Sequence, residues 1–249
     1  MSRALTVKNI YDKKYETLQT DGIWHDVLGE PESNGIWLIY GKEKNGKTWL
    51  AVMLSKYLSN MKNVLYISAE EGIGMAFRDT LQRVGMNTAT KSIHFIEYEN
   101  MEELGHRLNK RNAADVVFVD NLTIYNDELK GSVLRHFVNS HPSKLFIFVA
   151  HEERNEPYTS SARLARKLAK VIFHVKGLAA DVSGRVPGGT LVIDEHKALI
   201  YHGNIIHNEK GINQSKQEVL PAPQVEGDLQ NSGKKKTDSH TIRHRDKVL

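Results

Sequence analysis

Cysteine is absent from this chain of 249 residues, and with it go disulfides, thiol nucleophiles and the cysteine-rich zinc modules. Long apolar runs are absent too. The longest, LFIFVA at 145–150, is far too short to cross a bilayer, and the amino terminus MSRALTVKNIYDKKYE has no apolar leader core. Together these absences lead us to expect a cytoplasmic protein with no membrane contact. The twelve histidines are scattered, and HEERN at 151 lacks the second histidine of a zinc-protease helix. A global positive field is also missing. The formal charge of +4 resides in residues 233–249, which hold six Lys/Arg against two Asp, so residues 1–232 are neutral. Nucleic-acid contact by the body of the chain therefore has to come from a local patch.

What is present is an ordinary globular composition, 40% apolar and 26% charged, with enough length to bury a core. Residues 1–34 read as an N-terminal extension, 35–211 as one domain, and 212–249, polar and without periodicity, as a disordered basic-ended tail. Apolar runs at 35–41, 63–68, 93–98, 115–120, 144–150 and 170–175 predict strands, and the intervening patterns at 47–60, 73–84, 101–111, 126–139 and 161–169 predict helices. Strand and helix in alternation imply right-handed crossovers, hence an α/β fold with a mostly parallel sheet flanked by helices. The segment GGTLVIDEHKALIYHG (188–203) predicts a closing antiparallel hairpin turning at DEHK.

Between the first strand and the first long helix lies Gly41-Lys42-Glu43-Lys44-Asn45-Gly46-Lys47-Thr48, which fits G-x-x-x-x-G-K-[ST]. A loop of this length turns its backbone N–H groups inward around phosphates, and Gly46 permits the close approach. Lys47 is placed to reach the β and γ phosphates of ATP, and Thr48 to ligate Mg²⁺. The following helix points its positive end at the anion. DVVFVD (115–120) then supplies a buried strand ending in Asp120, a carboxylate for the Mg²⁺ shell. Asn121 follows it where a water-activating glutamate stands in other ATPases. Glu70 and Glu71, just past the strand NVLYIS, are the alternative bases, or simply two solvated loop acids.

In order, strand-GKEKNGKT-helix, strand-SAEE, strand-DN and strand-AHEE resemble the RecA-like ATPases over residues 35–203. The likeness is to DnaB-type helicases, RadA and circadian-clock relatives, and hexameric plasmid replication helicases. That resemblance implies a Mg·ATP hydrolase from a mobile or plasmid-like element, acting in DNA replication or recombination. It implies that Glu70, with Glu71, polarises the attacking water and that His151 is the sensor of the γ-phosphate. It also implies that Arg185, in SGRVPGGTLVID, enters a neighbour's site as an arginine finger in a head-to-tail ring, commonly of six subunits. Ser183 stands where the helicases carry a lysine, and no DnaB-like N-terminal helical domain fits into 34 residues.

In SSARLARKLAK, Arg163, Arg166, Lys167 and Lys170 fall at i, i+3, i+4 and i+7, a stripe that would follow single-stranded DNA or form a solvated face. Two other functions share the cradle: a regulatory or scaffolding ATPase that controls a protein partner without DNA, and a small-molecule kinase with a lid at 151–166.

Overall fold

The computed structural model describes residues 4–203, and the tail expected over 212–249 lies outside them. Two short helices, α1 (Val7–Tyr11) and α2 (Gly22–Leu28), lead into β1 (Gly35–Gly41), α3 (Lys47–Leu58), β2 (Val64–Ser68), α4 (Met75–Arg83) and β3 (Ile93–Ile96). Then come α5 (Met101–Leu108), β4 (Val116–Asp120), α6 (Val133–Ser140), β5 (Leu145–Glu153), β6 (Glu156–Pro157) and α7 (Ser160–Leu168). The described chain closes with β7 (Val171–Lys176), β8 (Ala179–Gly184), β9 (Gly189–Val192) and α8 (Glu195–His202).

Along the sheet the order is β3-β2-β4-β5-β1-β7-β8-β9, with β6 folded back on β5. Pairing is parallel from β3 through β7 and antiparallel from β7 through β9. The central strands are apolar on both faces because helices cover both. In β1 the pleat sends Trp37 and Ile39 into a core shared with α2, α3 and α4, and Ile36, Leu38 and Tyr40 into another shared with α5 and α7. Helix α3 buries Leu50, Ala51, Val52, Leu54 and Leu58, which explains its weak amphipathicity. Leu18, Trp24, Val27 and Leu28 of the N-terminal segment join that first core.

Register sets the site. Gly41 is level with His151, and Ser68 with Asp120, so the loops carrying the candidate residues leave the sheet along one edge, at the carboxyl ends of its strands.

Two local expectations are corrected, and a third segment takes a defined form. Residues 188–203 do not form a hairpin about DEHK. The Asp194 side chain accepts from the Lys197 N–H, so DEHK becomes the cap and first turn of α8, and the antiparallel end is built instead from β7, β8 and β9. The helix expected at 126–139 begins only at Val133, after a run of turns in which Leu122, Tyr125 and Leu129 are buried and Gly131 takes φ 61°. The segment 151–166, considered as a lid, is a β-hairpin whose turn residues Arg154 and Asn155 have φ 53° and 66°, followed by α7.

Candidate active site

The cradle starts where β1 ends. A Cβ on Gly41 would stand 2.2 Å from the Val175 carbonyl oxygen of the neighbouring strand, so only glycine allows that approach. Gly46, the residue before α3, has φ 99° and packs beneath Leu178. Between them, Lys44 has φ 60°. Asn45 turns away from the cleft: its Oδ1 accepts from the Gly177 N–H at 2.7 Å, and its carbonyl from the Leu178 N–H at 3.2 Å. The loop is thus tied to the β7–β8 turn. Lys47 is 7% exposed and its Nζ donates to the Lys42 carbonyl at 2.9 Å, closing the loop on itself. Burial lowers the pKa of that ammonium, opposed by the charges of Asp120 and Glu70.

A cleft of ≈ 750 Å³ opens above α3. Of the cradle, Glu43, Lys44, Gly46, Lys47 and Thr48 line it, joined by Glu70, Glu71, Asp120, Asn121 and His151. Gly41, Lys42 and Asn45 do not line it. Asp120, 6% exposed, accepts from Tyr66 Oη at 2.6 Å and from the Thr48 hydroxyl. Burial pushes its carboxyl up to about 6, only partly offset by those two hydrogen bonds, while Glu71 and Glu70 add to the rise. A divalent cation fits here. It would neutralise a carboxylate that burial disfavours, beside a hydroxyl spaced for a shared shell. Mg²⁺ needs few protein ligands at such a site, because it takes the others from phosphate and water.

Glu70 is held from two sides. Asn121 Nδ2 donates to Oε2 at 2.9 Å, and His151 Nε2 lies 2.9 Å from Oε1 and 3.1 Å from Oε2. Burial alone would raise the Glu70 carboxyl, but the hydrogen bonds from His151 and Asn121 and the charges of His151 and Lys47 outweigh it and hold it below the usual range. Glu71 lines the same cleft.

The remaining candidates are elsewhere. Arg185 is exposed just after β8, and its backbone N–H donates to the Lys170 carbonyl. Gly184 pairs with Val171 at the start of β7, so Arg185 stands at the sheet edge opposite the cradle and cannot reach the cleft of its own chain. The basic stripe is largely engaged within the fold. Arg163 donates to the Tyr158 carbonyl at 2.8 Å, Arg166 pairs with Glu156 and lies over the Tyr40 ring, and Lys170 holds Glu32 and Asn34. Lys170 also falls beyond α7, whose cap Ala169 is extended, so the i+7 alignment does not form. Arg163 and Lys167 are both exposed with no ion pair among the described residues, and Arg163 is held only by backbone carbonyls.

Tyr66 and Asn121 were not singled out from the sequence as site residues. Asn121 had a signal in its place directly after Asp120. Tyr66 had none, because a tyrosine in an apolar strand reads as core.

No family model matches the chain, and no curated protein matches it. Among solved structures it is similar to the flagellar accessory protein FlaH from Methanocaldococcus jannaschii, at 14% identity over 73% of this chain and 96% of that one, with a TM-score of 0.53. It is also similar to the unique ATP synthase subunit NeqB from Nanoarchaeum equitans, at 13% identity over 64% of this chain and 50% of that one, with a TM-score of 0.48. At such identity the likeness to FlaH shows the fold alone, a RecA-like P-loop α/β domain. Among the described residues no helix is long and apolar enough to cross a membrane.

Proposed function

We propose that this chain is a Mg·ATP hydrolase of the RecA-like type that works as an oligomer. The observation that carries the reading is the convergence, in one cleft, of Lys47, the Thr48–Asp120 pair and Glu70 braced by Asn121 and His151. Lys47 and the inward N–H groups of the cradle bind the β and γ phosphates, and Lys47 gives up its bond to the Lys42 carbonyl to do so. Thr48 and Asp120 would hold Mg²⁺, which supplies charge that neutralises the phosphate oxygens. Glu70 takes the proton of the attacking water, and His151, bonded to that carboxylate, registers whether the γ-phosphate is present. The test is calorimetric titration with Mg·ATP together with steady-state turnover. Lys47→Ala should abolish both signals, and unchanged affinity and turnover in that variant would overturn the assignment.

In the first of two settings the ATPase is a helicase-like motor on single-stranded DNA in replication or recombination. Support comes from the resemblance of the motifs and from Arg185, held out on a hairpin turn where a neighbouring subunit could meet it. In the second it is a regulatory ATPase whose nucleotide state controls a protein partner. The ion pairs of Arg166 with Glu156 and of Lys170 with Glu32 favour this one, since they compensate half of the stripe that would follow a phosphate backbone. Turnover with and without single-stranded DNA, measured beside mass by light scattering, separates them. A DNA-stimulated oligomer supports the motor, and a DNA-indifferent oligomer supports the regulator.

A further inference from the structure

Tyr66 brings a hydroxyl into an otherwise aromatic part of the first core. Its side chain is 0% exposed, and phenylalanines from three elements cage its ring. It stacks on Phe118 of β4 with centroids 5.4 Å apart, and is tilted against Phe77 of α4 at 5.5 Å and Phe95 of β3 at 5.8 Å. A fourth phenylalanine would fill this place without taking a hydroxyl out of water, which is costly unless the hydroxyl finds a partner. Here the partner is Asp120, whose Oδ2 accepts from Tyr66 Oη at 2.6 Å.

Register makes the contact possible. Tyr66 is level with Phe118 and Ser68 with Asp120, so Tyr66 and Asp120 are diagonal neighbours on one face of adjacent parallel strands. The phenol reaches the carboxylate along the strand direction, from within the core. The Ala69 N–H donates to the Asp120 carbonyl at 2.6 Å, which ties the ends of the two strands and fixes the backbone that carries the carboxylate. From the opposite direction, the Thr48 hydroxyl at the start of α3 bonds the same carboxylate. Asp120 is therefore gripped from the core through a named oxygen, Oδ2, and still lines the cleft.

We infer that Tyr66 is a positioning residue that sets the cation preference of the site: by holding Oδ2 from inside the core, it offers Asp120 to a cation through the other oxygen alone, which suits Mg²⁺ and not Ca²⁺. A ligating carboxylate needs a partner that orients it, and losing that partner typically lowers metal affinity about 10–100-fold. Mg²⁺ demands near-octahedral geometry and takes few carboxylate oxygens, whereas the larger Ca²⁺ collects roughly six to eight oxygens and accepts a carboxylate through one oxygen or both. A phenol on Oδ2 therefore works against the two-oxygen mode. The inference rests on the proposed reading of Thr48 and Asp120 as the Mg²⁺ site. It assigns a task to a buried tyrosine that neither motif nor spacing singles out.

The experiment measures by calorimetry the full chain's affinity for ATP with Mg²⁺, with Ca²⁺ and with a chelator, in wild type, Tyr66→Phe and Phe118→Leu. Tyr66→Phe deletes the hydroxyl and keeps the ring. Phe118→Leu disturbs the same packing and keeps the hydroxyl. In Tyr66→Phe the affinity for Mg·ATP should fall about 10–100-fold and that for Ca·ATP by less than about threefold, with metal-free ATP within about twofold of wild type. Phe118→Leu should lower the melting temperature and leave the Mg²⁺-to-Ca²⁺ affinity ratio as it is in wild type. The proposal is overturned if Tyr66→Phe keeps the wild-type ratio, whether because neither metal complex weakens or because both weaken together. It is also overturned if metal-free ATP weakens as much as Mg·ATP, or if Phe118→Leu shifts the ratio as far as Tyr66→Phe does, since packing and not the hydroxyl would then be responsible. Each of these results leaves the cradle standing, provided that wild type binds ATP more tightly with Mg²⁺ than without. If wild-type affinity is indifferent to Mg²⁺, the reading of Thr48 and Asp120 fails and takes this inference with it.

Discussion

His151 Nε2 sits within hydrogen-bonding distance of both carboxylate oxygens of Glu70, at 2.9 and 3.1 Å. The resemblance implied a base and a sensor as separate roles, and the fold makes them contact partners. Since Glu70 offers only acceptors when ionised, the Nε2 hydrogen is the shared proton of the pair. His151 Nδ1 is buried without a partner among the described residues, which hold the ring from one side only. On the function proposed above, a γ-phosphate in the cleft would compete with Glu70 for that hydrogen, and freeing the carboxylate would couple occupancy to hydrolysis.

Glu70, and not Glu71, is the acid braced by Asn121 and His151, so it is the better placed base. Glu70→Gln should retain Mg·ATP binding and lose turnover by about 10²–10⁴-fold, the usual weight of a general base. Glu71→Gln should stay within a few-fold of wild type. Single-turnover hydrolysis and nucleotide retention decide the matter, and the opposite pattern would move the base by one residue.

Removing the imidazole should change the pH dependence. Burial raises the Glu70 carboxyl, and the His151 and Asn121 hydrogen bonds reverse that, so the group stays ionised to below the usual carboxylate range. In His151→Ala the burial effect regains weight and the pKa rises. The acid limb of turnover at saturating Mg·ATP should then move to higher pH, with His151→Gln in between because it keeps a donor without the charge. An unmoved acid limb in both variants would separate His151 from the base.

Burial of Asp120 costs stability once its carboxyl is ionised. Its folded pKa of about 6 lies above the ordinary 3.8, so the ionised form is disfavoured in the nucleotide-free fold. A raised pKa means that the stabilising contribution is present at low pH and lost as pH rises through about 6. Asp120→Asn should therefore stabilise the nucleotide-free protein at pH 8 by about 2–3 kcal/mol, by the shift just given. Near pH 4 the gain should vanish, because the wild-type carboxyl is by then protonated. The same variant should lose Mg²⁺-dependent ATP binding. Thermal melts at the two pH values, with and without Mg·ATP, test both halves.

Much of this architecture is legible in the chain because the central strands are buried on both faces and read as unbroken apolar runs. Glycine, lysine and threonine at fixed spacing then mark the cradle. Legibility fails where partners come from distant segments. LVIDEHKALI reads as two strands about a turn, since its apolar residues flank a polar centre. The Asp194 cap decides for a helix, and only packing against the β7–β8 turn sets that helix down, with Tyr201 over Gly177. Lys170 looks like one more cation in a helical stripe until Glu32 and Asn34, from before β1, take it up. Arg83 and Lys197 carry no signal at all until α4 and α8 meet at Trp49.

Arg185 supplies the prediction that most separates a ring from a lone nucleotide binder. It follows Gly184, which has φ 117° and lies so close to the Lys170 carbonyl that a Cβ would stand 2.3 Å from that oxygen. Pro187 and Gly188 stiffen the other side of the turn, where the Gly188 N–H donates to the Val27 carbonyl at 3.0 Å. The guanidinium is thus carried on a well-braced turn, exposed and far from its own cradle, so any catalytic part for it has to be played in another subunit. Mixing tests this. Arg185→Ala subunits keep the cradle and lack the finger, while Lys47→Ala subunits keep the finger and lack the cradle. Neither alone has a complete site, but a head-to-tail assembly of both contains some sites with an intact cradle facing an intact finger. Trans stabilisation of phosphoryl charge is worth on the order of 10³-fold or more in rate. The mixture should therefore recover a readily measured share of turnover, rising with protein concentration as interfaces form. With subunit exchange verified by mass, a mixture no more active than its parts would reject Arg185 as a trans finger, and full activity of Arg185→Ala alone would reject it directly.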